Sequence, residues 1–323
     1  MTTDTRIATM LDVPVLRRLT GSGMVLDAEI GVTRYAQSGH TLSLPSLLSR
    51  GLYTLLARVD QQYAMGLFRY RPEDLIAHIV YMAPELEPGE DTTLWLHLLD
   101  GMAREAGRNG AHTLIAEVEP DSPLYEVLRA ARFGAYARQT IWRHDPVEAS
   151  DDEPLLLLDE EENGDQIGIM ALIASSVPTM VQQIALPHSE LNGLVYRKDG
   201  RIMAYVGVAE GKHGVYLLPC LHHDVMDEAE AILQSALWQI ERAVKVPVYV
   251  AVRMYHAWLN GVLENLNFEE WLEQVVMVKQ ITAGIKHPGF ARVAMHGHVE
   301  VQPYTLHSYS LVVEHPLSDE EFE

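Results

Sequence analysis

The chain has 323 residues, 48% hydrophobic and 21% charged, and its 45 acids against 24 bases leave a net charge of −21. Such an excess opposes a phosphate backbone or an anionic membrane surface, so nucleic acid is excluded as an expected partner and a cationic ligand, an amine or a basic peptide, is favoured. No apolar run approaches the ~18 to 20 residues of a membrane helix, MTTDTRIATMLD holds no apolar signal core, and the single Cys220 lacks a disulfide or zinc partner. The expectation is a soluble, cytoplasmic, metal-free protein of two domains.

Along the first half, Ser22 in TGSGM reads as a turn, LYTLLARV (52–59) and AMGLFRY (64–70) as a hairpin, and LIAHIVYM (75–82) as a third strand. Leu94, Leu98, Met102 and Ala106 recur every four residues, with Trp95 and Leu99 widening the stripe, which predicts a helix. TLIAEV (113–118) is then a strand, PLYEVLRAARF (123–133) a short helix and AYARQTIWR (135–143) a closing strand. Between Asp145 and Asp165 acids crowd without Lys or Arg around the apolar run Leu155 to Leu158, which reads as a solvated linker around a short strand. The expected domains are therefore 1–147 and 148–323.

The same series follows the linker. GLVY (193–196) and RIMAYVGV (201–208) flank the hairpin turn Asp199-Gly200, and HGVYLLPC (213–220) is the third strand. Ile232, Leu233, Ala236, Leu237, Ile240 and Val244 mark the long helix, PVYVAVRM (247–254) the next strand, WLNGVLENLNF (258–268) the short helix and LEQVVMVKQI (272–281) the last strand. An offset of 135 superposes the last four elements of the two halves, placing Leu124, Val127, Leu128 and Phe133 on Leu259, Val262, Leu263 and Phe268. One unit used twice explains this better than chance. From about residue 283 an extension with strand character at 298–315 is expected, which offers an edge for homodimer contact.

The order hairpin, strand, long helix, strand, short helix, strand, with the corners EVLRAARFGAY (126–136) and GVLENLNFEEW (261–271), resembles the GNAT acyltransferases. IATMLDVPVLRRL (7–19) and NGDQIGIMALIASSVPTMVQQI (163–184) are similar to that family's opening helices. The resemblance implies an α/β fold with a mixed sheet, two tandem GNAT-like domains, acetyl-CoA or another acyl-CoA as donor, and a small amine as acceptor. It places the coenzyme beside Met82 and on the loop Glu90, Asp91, Thr92, Thr93 and Leu94, where the family has Arg/Gln-x-x-Gly-x-Gly/Ala. Here acids replace the base and the glycines are absent, so the stretch itself reads as helix capping by Asp91 or Thr92. The second copy, Pro219 to Glu228, has no glycine either. The family's thiolate-protonating tyrosine falls on Leu128 and Leu263, and the glycine before the Phe on Arg132 and Asn267. By the resemblance His78 is the candidate general base and Tyr125, one turn before Leu128, the substitute acid; as residues alone they read as sheet and packing side chains. His222-His223-Asp224 has ligand chemistry, but adjacent loop residues seldom converge on one ion. Two functions stay open: an acyl-CoA-dependent N-acyltransferase, and a non-catalytic tandem module that binds a ligand or a protein.

Overall fold

Apolar alternation and helical stripes become elements close to where the sequence puts them, in a computed structural model that describes residues 3–34, 51–146 and 154–281. These residues lie in one compact unit, Met1–Ala283. Residues 147–153 of the acidic linker and the strands expected at 298–315 lie outside the described residues. In the first half run β1 (Thr3–Ile7), α1 (Val13–Leu19), β2 (Met24–Val25), α2 (Ala28–Arg34), β3 (Leu52–Val59), β4 (Gln62–Arg69), β5 (Ile76–Ala83), α3 (Thr93–Asn109), β6 (Thr113–Val118), α4 (Pro123–Ala130) and β7 (Gly134–His144). The second half has β8 (Asp159–Glu160), α5 (Gln166–Ser176), α6 (Gln182–Ala185), β9 (Asn192–Lys198), β10 (Arg201–Glu210), β11 (Val215–Leu221), α7 (Ala229–Gln239), β12 (Val248–Arg253), α8 (Leu259–Asn265) and β13 (Glu269–Gln280).

Two expectations shift. The strand read into Leu155 to Leu158 forms instead at Asp159–Glu160, where the backbone pairs with Leu194 and Val195 of β9. The second long helix stops at Gln239, and a 3-10 turn, Glu241–Val244, carries the rest of its stripe.

The stripe of α3 is buried as its spacing requires: Leu98, Leu99 and Met102 are fully covered against the core beneath the sheet. Each such side chain contributes about 1.5–3 kcal/mol through burial. Gly110 ends α3 at φ 108, a left-handed conformation that glycine adopts without a Cβ clash.

The strands form one sheet in the order β1-β3-β4-β5-β6-β13-β7-β12-β11-β10-β9-β8, with β2 on β5. The halves exchange their last strands. β13 lies between β6 and β7, and β7 pairs with β12, so the closing strand of each half completes the sheet of the other. In the antiparallel pair β7/β13, Gln139 faces Gln274, its own equivalent at the offset of 135, and the two side chains share a buried hydrogen bond of 2.9 Å. An amide suits a point where a residue meets its own copy, because it donates and accepts, whereas a charge would meet a like charge. The ladder slips at the equivalent residues Tyr136 and Trp271, and the equivalent Arg132 and Asn267 both have left-handed φ, 66° and 61°. These last two sit where the resembled family has glycine, and the backbone keeps glycine's conformation at a cost of about 1–2 kcal/mol per residue.

Candidate active site

The parallel strands β5 and β6 pair only at Ile76, Ala77 and His78 with Thr113, Leu114 and Ile115, then diverge. At the last paired position, His78 faces Arg69 across the β4/β5 ladder. Alternation turns both side chains toward the sheet face covered by α1 and α2, the face that also carries Leu67 and Val80. There they meet α2, with Asp27 just before it and Glu29 in its first turn. Asp27 caps α2, its Oδ1 accepting from the Ile30 amide at 3.1 Å, and β6 supplies Glu117, whose Oε2 accepts from the Ala28 amide at 2.7 Å.

Three carboxylates hold the Arg69 guanidinium: Asp27 at 2.7 Å, Glu29 at 2.9 Å and Glu190 at 3.0 Å. Glu190 comes from the second half, pairs also with Arg71, and lies in a segment lashed to the first half by Ser189, whose amide and hydroxyl donate to Asp74. His188 completes the junction. Its Nδ1 accepts from the Glu190 amide at 3.3 Å, so the proton sits on Nε2, 2.6 Å from Glu29 Oε2.

Burial pushes Asp27 up to about 6, with Glu29 and Glu117 adding to it against the pull of Arg69. Burial opposes ionisation of Glu29 too, but Arg69 and His188 outweigh it and hold this carboxyl at about 2. His78 lies 5.9 Å from the His188 ring, edge to face. Burial, then the cations around Arg69, hold it well below the ordinary histidine range. It is neutral at physiological pH and can accept a proton.

These residues line a cavity of about 470 Å³, closed from the second half by Ile184, Leu186, Pro187, Tyr216, Leu218 and Arg253. Sequence reasoning placed His78 here and missed Asp27, Glu29, Arg69, Glu117, His188, Tyr216 and Arg253. The available signal was a charge inside an apolar strand, as in Glu117 of TLIAEV and Arg253 of PVYVAVRM.

The other expected residues lie elsewhere. Tyr125 packs half-buried against the core under α3, on the sheet face away from His78. Met82 is fully buried, pairs with Met24, and lies so close to Gly23 that a Cβ there would stand 2.4 Å from its carbonyl oxygen. Leu94 is buried in the same core. Asp91 Oδ1 accepts from both the Thr93 amide (3.0 Å) and the Thr93 hydroxyl (2.7 Å), while Glu90 takes the Glu87 amide at 3.2 Å. Thr92 is the N-cap position but makes no side-chain cap bond. The loop thus spends the Glu87 and Thr93 amides on its own carboxylates.

The strand divergence is occupied as well. The Leu26 amide donates to Val80 O at 2.9 Å, and Leu26 O accepts from the Glu117 amide at 2.8 Å, so the chain bridges the gap between β5 and β6 with its own backbone. At the second junction Asp224 lies beside His222 and His223, with ligand atoms of all three within 4.8 Å of one another, and Glu228 pairs with Lys198. Neither junction suits the diphosphate of a coenzyme, because acids stand where the phosphates would.

No protein-family model matches the chain, and no curated protein matches it. Solved structures do. A GCN5-related N-acetyltransferase from Sphaerobacter thermophilus is similar over 86% of this chain and 96% of its own, at 13% identity and a TM-score of 0.51. A tandem GNAT protein from the clavulanic acid biosynthesis pathway, determined without AcCoA, is similar over 87% of this chain and 99% of its own, at 13% identity and a TM-score of 0.47. The chain has the fold of the GCN5-related N-acetyltransferases. Among the described residues no helix is long and apolar enough to cross a membrane.

Proposed function

We propose that the protein is an N-acyltransferase that holds a small cationic amine in the cavity between its halves. The observation that carries this reading is a neutral, cavity-lining His78 set among the carboxylates of Asp27, Glu29 and Glu117. The carboxylates attract an ammonium group, and His78 takes its proton as the nitrogen becomes nucleophilic. The net reaction joins amine and acyl thioester into amide and free thiol. At the level of the superfamily the donor is an acyl-CoA; the residues of this chain do not suit its diphosphate, so no step is assigned to its binding.

Calorimetric titration with acetyl-CoA, followed by a thiol-release assay against an amine panel, tests the reading. His78→Gln should lower kcat by about 10²–10⁴-fold, and Tyr125→Phe should leave it within about twofold, since its ring packs in the core away from the cavity. Neither binding at millimolar acetyl-CoA nor thiol release with any amine would leave a non-catalytic ligand-binding module in its place.

A further inference from the structure

The cavity wall holds two guanidinium groups among the described residues, Arg69 and Arg253, in opposite conditions. Arg69 is spent: its Nε, Nη1 and Nη2 donate to Asp27, Glu190 and Glu29. Arg253 is not. Its side chain is 12% exposed, and its nearest carboxylate oxygen, Glu117 Oε1, lies 3.6 Å from Nη2, beyond hydrogen-bond reach. The other oxygen of Glu117 is engaged by the Ala28 amide. Arg253 Nε is buried with no hydrogen-bond partner. A covered guanidinium with idle donors is costly, and its planar fork matches a carboxylate in two parallel hydrogen bonds.

The cavity therefore carries both signs of charge. Asp27, Glu29, Glu73 and Asp74 line it together with Arg253, which comes from β12, and the buried Tyr216. Burial, with Glu117 adding to it, keeps the Tyr216 phenol protonated and able to donate.

Resting on the reading of this cavity as the amine site, we propose that the acceptor is a zwitterion, an amino-acid-type amine whose carboxylate docks on Arg253 while its ammonium faces Glu29 and His78. A simple amine would satisfy the carboxylates and leave Arg253 Nε without a partner. A simple carboxylic acid would satisfy Arg253 and meet repulsion from the rest.

Matched pairs that differ only in a carboxylate provide the test: L-leucine against isopentylamine, L-lysine against cadaverine, and 4-aminobutyrate against propylamine, each titrated calorimetrically into the full chain. At least one carboxylated member should bind about tenfold or more tighter than its partner, a gap of about 1.4 kcal/mol. Arg253→Gln should abolish that preference, and Arg253→Lys should retain part of it. Equal or tighter binding of the plain amine in every pair overturns the proposal, as does a preference that survives in a folded Arg253→Gln protein. If neither variant folds, the wild-type comparison decides alone. Because the readout is binding, an amino acid held through Arg253 without turnover would sink only the acyltransferase reading, while turnover of plain amines without carboxylate preference would sink only this one.

Discussion

The two halves present the same sheet positions with opposite chemistry. Arg69 faces His78 across β4/β5, and at the corresponding point of β10/β11 Ala209 faces Tyr216. Glu117 of β6, paired with Val276, has Ala251 of β12, paired with Ile141, as its equivalent. The polar cluster of the first half is thus matched in the second by apolar packing, where Ala209, Tyr216 and Ala251 lie in one cluster. The two halves offer similar frames, and the charged cluster lies in one. The second half completes that site from outside, with His188, Glu190, Tyr216 and Arg253. The lesson is that a repeated fold does not imply a repeated site: an ion cluster needs neighbours that spend its donors, and only one half has them.

The largest effect should come from removing the cation that the first half has and the second lacks. Arg69→Leu leaves Asp27 and Glu29 buried without their partner and should cost about 3–5 kcal/mol in urea unfolding. Val208→Ala, next to the equivalent Ala209, strands no charge and should cost clearly less. A loss below about 1 kcal/mol for Arg69→Leu would mean that the cluster is solvated and the contrast empty.

The second half has its own buried titratable group, which sharpens the comparison. His256 is 3% exposed and burial pushes it down to about 4, whereas the first-half equivalent is the exposed Asp121. A histidine whose folded pKa is lowered binds fewer protons folded than unfolded, so its stabilising share is full above about 6.5 and is lost as pH falls toward 4. Between those values the protein should lose stability, with about 3 kcal/mol of the loss owed to His256. His256→Phe should flatten the slope. An unchanged slope in that variant would show that His256 titrates normally.

The smallest effect concerns the loop that precedes each long helix. Asp91→Ala removes the acceptor on the Thr93 amide and should cost about 0.5–2 kcal/mol. At the second junction the Asp224 amide is taken by His222 Nδ1 at 3.2 Å, so His222→Ala should cost less. Both follow from chemical denaturation of the purified variants. Equal losses would mean that the two loops are capped alike.

Much of the frame was legible in the sequence because it rests on short-range periodicity. TLIAEV forms β6 at the residues its alternation marks, and the stripe from Leu94 to Ala106 forms the buried face of α3. The reading of Asp91 as a cap also follows from local chemistry. Of the residues that line the cavity, the sequence singled out His78 alone. Arg69 ends one strand, Asp27 opens a helix and Glu190 lies over a hundred residues on, so no spacing ties them together. Tyr125 was chosen by its helical position, which says nothing about the sheet face on which a helix packs.

By itself the sequence determined the repeated order of strands and helices, the capping of α3 and the absence of a glycine-rich cradle, since each depends on neighbours a few residues apart. The tertiary structure alone decided the exchange of β7 and β13, the bridging of the β5/β6 divergence by Leu26, and the meeting of Arg69, Glu190 and Arg253 at one cavity. Those contacts join residues far apart in the chain, and their energies arise only once burial has removed water from between the charges.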